Sequence, residues 1–332
     1  MSHITVEEAI SQALAEEMRR DSRVIMFGEG VATKQNGLVK EFGAARVRNT
    51  PLAEGIIAGT AAGAAATGLR PVVDLLFAPF LTFAMEEIVN SAGKLRYISG
   101  GQFSFPMVAM VRTGSGWGVG AQHNHNNESW FVHAPGLKVV MPSRPADFKG
   151  LLKAAIRDDN PVLFFQDLSL GYEAGECSDG DDIVPLGKAA MLREGSDVTL
   201  IAYAKTVGTC LKAADRLAEL GIAAQVIDLR TLKPLDEETI LNAVRRTGRA
   251  IVVHEASRMC GVGAEVAAIL SEKAFWALKS PVIRLTGPDA PPPASFPLEQ
   301  AFAPQPDAIV EVAASLVNGC QADASERQLA LA

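Results

Sequence analysis

The chain has 332 residues, 48% of them hydrophobic, with a formal net charge of −7 and a pI near 5.4. That length and apolar content suffice for two ordinary domains, each with its own buried core. The acidic balance and the lack of any dense Lys/Arg run leave no electrostatic footprint for a phosphate backbone or an anionic lipid surface, so neither nucleic acid nor a membrane is an expected partner.

The opening "MSHITVEEAISQALAEEMRRD" has the period of an amphipathic helix with charges of both signs, and it lacks the apolar stretch of a signal peptide. No apolar run in the chain reaches membrane-spanning length. Cys177, Cys210, Cys260 and Cys320 stand far apart and match neither a disulfide framework nor a zinc-ligand spacing. A reducing, cytoplasmic setting is the expectation.

After a first strand, "RVIMFGEG", the stretch "TPLAEGIIAGTAAGAAATGL" over 50–69 predicts a helix capped by Thr50 with Pro51 at its first position. Gly55, Gly59 and Gly63 then share one face. Each glycine costs a helix about 1 kcal/mol relative to alanine, so that face is expected to meet a neighbouring backbone closely, as at a subunit interface. Glu54 falls in the first turn among Leu, Ala, Gly and Ile. It is either an acid favoured by the helix dipole or a desolvated carboxyl with a raised pKa that shares a proton with a ligand nitrogen.

Next come a strand "RPVVDLLF", a helix over 82–97, a strand "FPMVAMVRTG", and the unusual run "RTGSGWGVGAQHNHNN" at 112–127. A dinucleotide fingerprint needs a helix to start at once, whereas Gly114, Gly116, Gly118 and Gly120 keep a two-residue period; no Walker lysine follows. "TGSGW" is not a nucleophile elbow. His123 and His125 have no third metal ligand close by in sequence. The run therefore reads as the end of a strand opening backbone space beside a ligand, leading to His123 as a donor or proton shuttle.

A strand "GLKVVMPS", a helix over 145–157 and a strand "PVLFFQD" follow, with "AAIRDDNPV" either a capped turn or a set of carbonyls gathered around a monovalent cation. His133 and His254 lie beside strands and suit ordinary buried positions. Gly, Asp and Ser in "GYEAGECSDGDDIVPLG" (171–187) mark a linker. A second unit has strands "DVTLIAYA", "AAQVIDLR", "AIVVHEA" and "SPVIRLTG" and helices near 206–220, 236–246 and 262–277. The alternation predicts an α/β protein with parallel sheets. "QADASERQLALA" carries no packing pattern and is expected to be frayed.

Several blocks together resemble the β subunit of the E1 component of 2-oxoacid dehydrogenase complexes: "TPLAEGIIAGTAAGAAATGLRPVVDLLF", "EEIVNSAGKLRYISGGQ", "GVGAQHNHNNESWFVHAPGLKVVMPS", "GLLKAAIRDDNPV" and "VIDLRTLKPLDEETI". The similarity runs collinearly from about residue 3 to 317. It implies a thiamine-diphosphate enzyme acting on pyruvate, a branched-chain 2-oxoacid or acetoin. Its fold would be a pyrimidine-binding parallel-sheet domain over 1–175, a linker over 176–190 and a transketolase C-terminal α/β domain over 191–318, before a disordered tail over 319–332.

By this resemblance Glu54 hydrogen-bonds the aminopyrimidine ring nitrogen of the cofactor, Phe80 packs on that ring, and His123 stands near the reacting carbons. Backbone carbonyls of Met107, Ala155, Asp158 and Asn160 match a potassium site. The chain contains no GDG motif, so the resemblance implies that an α subunit holds the diphosphate and magnesium, in an α2β2 heterotetramer that passes an acyl group to a lipoyl-bearing E2 subunit. Two alternatives stand beside it: half of a split transketolase-like transferase, and a non-catalytic scaffold subunit. The chain departs from the family at Gly28-Glu29-Gly30, at the loop over 30–37, and at 124–127, where His125 and its flanking amides replace the family's residues.

Overall fold

In the computed structural model, which describes residues 1–319, strand β1 (Ser2–Thr5) leads into helix α1 (Val6–Arg20). The Thr5 hydroxyl accepts the Glu8 N–H at 3.2 Å while the Glu8 carboxylate accepts the Thr5 N–H at 2.8 Å, a reciprocal capping box. Glu7 and Glu8 in the first turn and Arg19 and Arg20 in the last complement the helix dipole.

The chain continues through β2 (Val24–Gly28), α2 (Val31–Lys34), α3 (Asn36–Phe42), β3 (Val47–Asn49), α4 (Glu54–Ala66) and β4 (Arg70–Phe77). After an irregular helical stretch come α5 (Gly93–Ile98), β5 (Val108–Thr113), α6 (Glu128–His133), β6 (Lys138–Val140), α7 (Pro145–Arg157), β7 (Val162–Asp167) and β8 (Ala174–Cys177). Strands β6-β7-β5-β4-β2-β3 lie side by side in that order, every neighbouring pair parallel. This is the arrangement the near-continuous apolar strands call for.

Helices α1 and α7 bury Leu14, Met18, Phe148 and Leu152 with Phe164 of β7 in one core. Their remaining contact is ionic: Lys153 bridges Glu16 and Asp181, each at 2.6 Å, and Arg157 meets the fully buried Glu17 at 2.6 Å. Arg157, with Lys153, holds the Asp181 carboxyl down to about 2. Asp181 falls in the stretch expected to be a linker, and β8 pairs antiparallel with β1. Residues 171–186 group with the first compact unit, which comprises 1–113 and 130–186.

The second unit comprises 187 onward together with 114–129, the Gly-rich run. Its elements are β9 (Ala190–Arg193), β10 (Val198–Ala202), α8 (Thr206–Glu219), β11 (Ala224–Asp228), β12 (Thr231–Lys233), α9 (Glu237–Thr247), β13 (Ala250–Ser257), α10 (Val262–Lys273), β14 (Ile283–Gly287), α11 (Phe296–Phe302) and α12 (Pro306–Val317). The sheet order is β14-β13-β10-β11-β9, parallel except for β9 against β11. Its core joins Val207, Cys210 and Leu217 of α8 to Val226, Val253 and Ile309. The tail expected over 319–332 lies, from residue 320, outside the described residues.

Three predicted helices differ from those observed, and the one expected near 262–277 ends at Lys273, with a separate 3₁₀ turn at Phe275–Ala277. The helix expected at 82–97 is a composite: a 3₁₀ stretch Ala78–Ala84, a π-helical turn Glu86–Ala92 and only then α5. The helix expected from Pro51 begins at Glu54 instead, with a non-helical Ala53 before it. The Thr50 hydroxyl caps nothing, and the Thr50 N–H donates to the Gly28 carbonyl at 3.0 Å, which holds residue 50 at the end of β2.

The small-residue face of α4 is occupied within the chain itself. A Cβ on Gly55 would stand 2.9 Å from the Phe83 carbonyl oxygen, and one on Gly59 would meet the Glu87 side chain at 3.4 Å, whereas one on Gly63 would meet nothing within 4 Å. Gly55→Ala is therefore expected to destabilise the isolated chain by about 1–3 kcal/mol through overpacking, and Gly63→Ala to stabilise it by about 1 kcal/mol through helix propensity. Thermal melts of the two variants give the comparison, and equal shifts would contradict the packing described.

Candidate active site

In the first unit, β4 ends in a bulge that turns the chain toward its aromatic segment. Leu76 takes a left-handed φ of 61°, its N–H held by Asp74 Oδ1 at 2.9 Å, and the Arg112 guanidinium clasps the same carboxylate at 3.2 Å. The strand register against β5 shifts at this point. Beyond the bulge, Phe80 sits half-buried between Phe77, edge-on at 6.3 Å, and Phe83, tilted at 6.3 Å.

Glu54 opens α4, the helix whose Gly55 seats against the backbone of Phe83. Glu54 and Phe80 thereby belong to two elements packed directly on each other. Glu54 is half-buried, and among the described residues its carboxyl has no hydrogen bond and no ion pair. A carboxylate at a helix N-terminus is favoured by the dipole. One that also lacks a protein partner is free to take a ligand N–H or ring nitrogen.

The Gly-rich run is not a strand end. β5 stops at Thr113, and Gly114, Gly116, Gly118 and Gly120 all have positive φ, between 66° and 130°. No other residue adopts such a series without strain. The resulting loop is tied down inside the second unit by three buried carboxylates. Glu255 accepts the Ser115 N–H at 2.7 Å; Glu299 accepts the Gly118 N–H at 3.0 Å and the Asn124 side-chain amide at 2.7 Å; Glu128 accepts the Tyr203 hydroxyl at 2.6 Å. Lys205 forms an ion pair with Glu255 and donates to the Ser115 carbonyl at 2.8 Å.

His123 sits half-exposed on this loop, its N–H donating to the Gly120 carbonyl at 3.1 Å. His125 is half-buried, and burial holds its ring below the usual histidine range. His123 thus belongs to the second unit and Glu54 and Phe80 to the first. Nothing in the sequence singles out Lys205, Glu255 or Glu299; each reads there as an ordinary charged residue, and only the fold brings them to the loop.

His254 is fully buried, whereas His133, expected in a similar setting, is exposed at the end of α6. His254 stacks on Tyr203 at 5.7 Å. Its Nε2 accepts the Gly263 N–H at 3.3 Å, which leaves the proton on Nδ1, donating to the Ala256 carbonyl at 3.1 Å. Burial, reinforced by Arg284 and Arg258, brings its pKa down to about 4. Burial and the neighbouring Glu128 carboxylate raise that of Tyr203 well above the ordinary phenol value.

The turn after α7 is a capped turn. Asp158 Oδ1 accepts both the backbone and side-chain amides of Asn160, at 2.8 and 2.9 Å, and Lys138 pairs with the other carboxylate oxygen. Burial pushes the Asp158 carboxyl up, but Lys138 and Asn160 outweigh it and hold it below the ordinary value. The carbonyls of Met107, Ala155 and Asp158 accept hydrogen bonds from the Val162 N–H, the Asp158 N–H and the Arg70 guanidinium respectively. Each carbonyl oxygen keeps a second lone pair. Among the described residues no group of three or more His, Cys, Asp or Glu side chains is placed to hold a metal ion, and no helix is long and apolar enough to cross a membrane.

Comparison with known proteins places these two units. Residues 2–170 match the transketolase pyrimidine-binding domain and residues 187–309 the transketolase C-terminal domain. The chain is 40% identical to the β subunit of acetoin:2,6-dichlorophenolindophenol oxidoreductase of Bacillus subtilis, over 95% of this chain and 97% of that one. It is 43% identical to the 2-oxoisovalerate dehydrogenase β subunit of the same organism, over 93% and 97%. It is 42% identical to the pyruvate dehydrogenase E1 β subunit of Rhizobium meliloti, over 94% and 69%. Among solved structures, a split-gene transketolase described as an inactive β4 tetramer superposes with a TM-score of 0.79 at 26% identity, over 95% of this chain and 98% of that one.

The His254 setting has a measurable consequence. Its folded pKa of about 4 lies below the ordinary 6.5, so its contribution to stability is full above pH 6.5 and is lost as the pH falls toward 4. The loss amounts to about 3 kcal/mol at most. Urea unfolding across that range is expected to show the decline in the natural chain and a flatter profile in His254→Gln; identical slopes would contradict the assignment.

Proposed function

From the premise that this chain belongs to the transketolase-like family of E1 β subunits of 2-oxoacid and acetoin dehydrogenase complexes, we propose that Glu54 and Phe80 are its contribution to a thiamine-diphosphate site and that His123 acts on the substrate or the lipoyl group. The family is thiamine-diphosphate-dependent and oxidoreductive, and its E1 β subunits work with an α subunit. The observation that supports the residue assignment is Glu54 itself: a carboxyl without a protein partner, at a helix N-terminus seated on an aromatic segment, in the domain that matches the pyrimidine-binding model.

The residues fit the group. Glu54 offers an acceptor or a shared proton to a ring nitrogen of the aminopyrimidine, and Phe80 offers a flat apolar surface for that ring. When bound, thiamine diphosphate supplies a carbon nucleophile for the substrate carbonyl. Glu54 would hold the proton shared with that ring nitrogen, as a carboxyl placed to act as general acid or base there. His123, on a loop held from within its own unit, acts on the substrate or on the incoming lipoyl group as hydrogen-bond donor or proton shuttle.

The diphosphate and its magnesium are assigned to the α subunit, with an α2β2 assembly and a lipoyl-bearing E2 as acceptor. Potassium is proposed at the carbonyls of Met107, Ala155, Asp158 and Asn160. The C-terminus of α7 favours positive charge there. The likeness to split-gene transketolase is lower in identity than that to the E1 β subunits, so sugar transfer is the weaker reading. Reduction of a lipoyl domain by the reconstituted pair separates the two.

Two outcomes are expected. With its α partner, thiamine diphosphate, magnesium, and acetoin or a 2-oxoacid, the chain should support reduction of 2,6-dichlorophenolindophenol. Glu54→Gln should lower kcat roughly 10²–10⁴-fold while the cofactor still binds, and unchanged turnover would sink the assignment. Replacing sodium by potassium at constant ionic strength should raise Tm in the natural chain; indifference to the cation would remove the potassium site.

A further inference from the structure

We infer that Glu299 and the Lys205–Glu255 pair are positioning residues for His123, setting its place by fastening the loop over 114–124 at both ends. The inference rests on the reading of His123 as an active-site group. It goes beyond that reading in naming what holds the histidine.

The loop has little preference of its own, since four positive-φ glycines make its unclamped form a broad ensemble. Its clamps are few and buried. At the base, Glu255 takes the Ser115 N–H at 2.7 Å, and Lys205 returns from the Glu255 carboxylate to the Ser115 carbonyl at 2.8 Å and the Ser115 hydroxyl at 2.9 Å. Ser115 is thus gripped on three of its polar atoms. At the far end, Glu299 of α11 joins residues 118 and 124: Oε1 accepts the Gly118 N–H at 3.1 Å and the Asn124 amide at 2.7 Å, and Oε2 the Gly118 N–H at 3.0 Å. The Asn124 carbonyl in turn accepts the Gly114 N–H at 3.2 Å, so His123 immediately precedes a residue pinned at both its side chain and its backbone.

The chemistry of the clamps is specific. Glu299 is buried and makes no salt bridge among the described residues; its charge is met by N–H donors of the loop alone. Removing the carboxylate leaves the Gly118 N–H and the Asn124 amide without their acceptor, and the loop must move to satisfy them. Glu299→Gln sets an amide N–H₂ against one of these donors. Lys205→Met leaves the Glu255 charge buried without its cation. Gly118 and Gly120 also lie against Ala294, where a Cβ would meet Ala294 atoms at 3.2 and 3.4 Å, so the same loop conformation is shaped sterically from the segment before α11.

A double-mutant cycle in the reconstituted α/β enzyme tests this. Turnover of 2,6-dichlorophenolindophenol is measured for the natural chain, His123→Ala, Glu299→Ala and the double variant, with Tm recorded for each. The expected result is a fall in kcat of roughly tenfold to a hundredfold for each single variant and a double variant no slower than His123→Ala, because Glu299 acts only through the histidine. Effects that multiply, or a Glu299→Ala enzyme of natural kcat, overturn the inference while leaving His123 in the site. Natural turnover in His123→Ala overturns both. Should Glu299→Ala fail to fold, the cycle with Glu299→Gln or Lys205→Met gives the same discrimination.

Discussion

Glycine at position 55 is the constraint on which the first unit's candidate site depends. Only a residue without a side chain lets the first turn of α4 come within contact of the Phe83 carbonyl, and that approach joins the helix carrying Glu54 to the segment carrying Phe80. The segment is aimed in turn by the bulge at Leu76, whose left-handed backbone is held by the Asp74 carboxylate and the Arg112 guanidinium. A parallel sheet ends its strands along one edge, where ligands of such folds bind. Here the bulge and the glycine convert that edge into a carboxyl and an aromatic ring on adjoining elements.

The second unit solves the opposite problem. Its loop needs room for backbone rather than close packing, and four glycines in left-handed conformations provide it at the cost of conformational entropy. Buried charge offsets that freedom. Glu128, Glu255 and Glu299 are each withdrawn from water: Glu128 accepts the Tyr203 hydroxyl, Glu255 the Ser115 N–H beside its ion pair with Lys205, and Glu299 the Gly118 and Asn124 N–H groups, so the loop is held by directional bonds. The stacked pair of Tyr203 and the neutral His254 completes this interior.

Much of this was legible in the residues. The helices over 145–157, 206–219 and 237–247 follow from apolar period and caps and appear within a residue of expectation, and each strand expected from an apolar run overlaps an observed strand. The Glu54 helix was legible through its glycines, but its partner was not: the close approach is to residues 83 and 87 of the same chain, a contact no period encodes. The stretch 171–187 read as a linker because its glycines and aspartates resemble one, yet Asp181, itself exposed, pairs with Lys153 and Arg157 of α7, and β8 pairs with β1. The π-helical turn at 86–92 lies beyond any 3.6-residue pattern. The membership of 114–129 in the second unit depends on Lys205, Glu255 and Glu299, all more than 80 residues away, and pairings at that distance leave no local trace.

In the proposed site Glu54 shares a proton with the cofactor's aminopyrimidine and so prepares it to react. The most direct measurement is the rate at which the thiazolium C2 proton of thiamine diphosphate exchanges with deuterium when bound to the reconstituted α/β complex, in the absence of substrate. Exchange is expected to be slowed by roughly a hundredfold or more in Glu54→Gln relative to the natural chain, with bound cofactor equal in both. Equal exchange rates in the two complexes would contradict it.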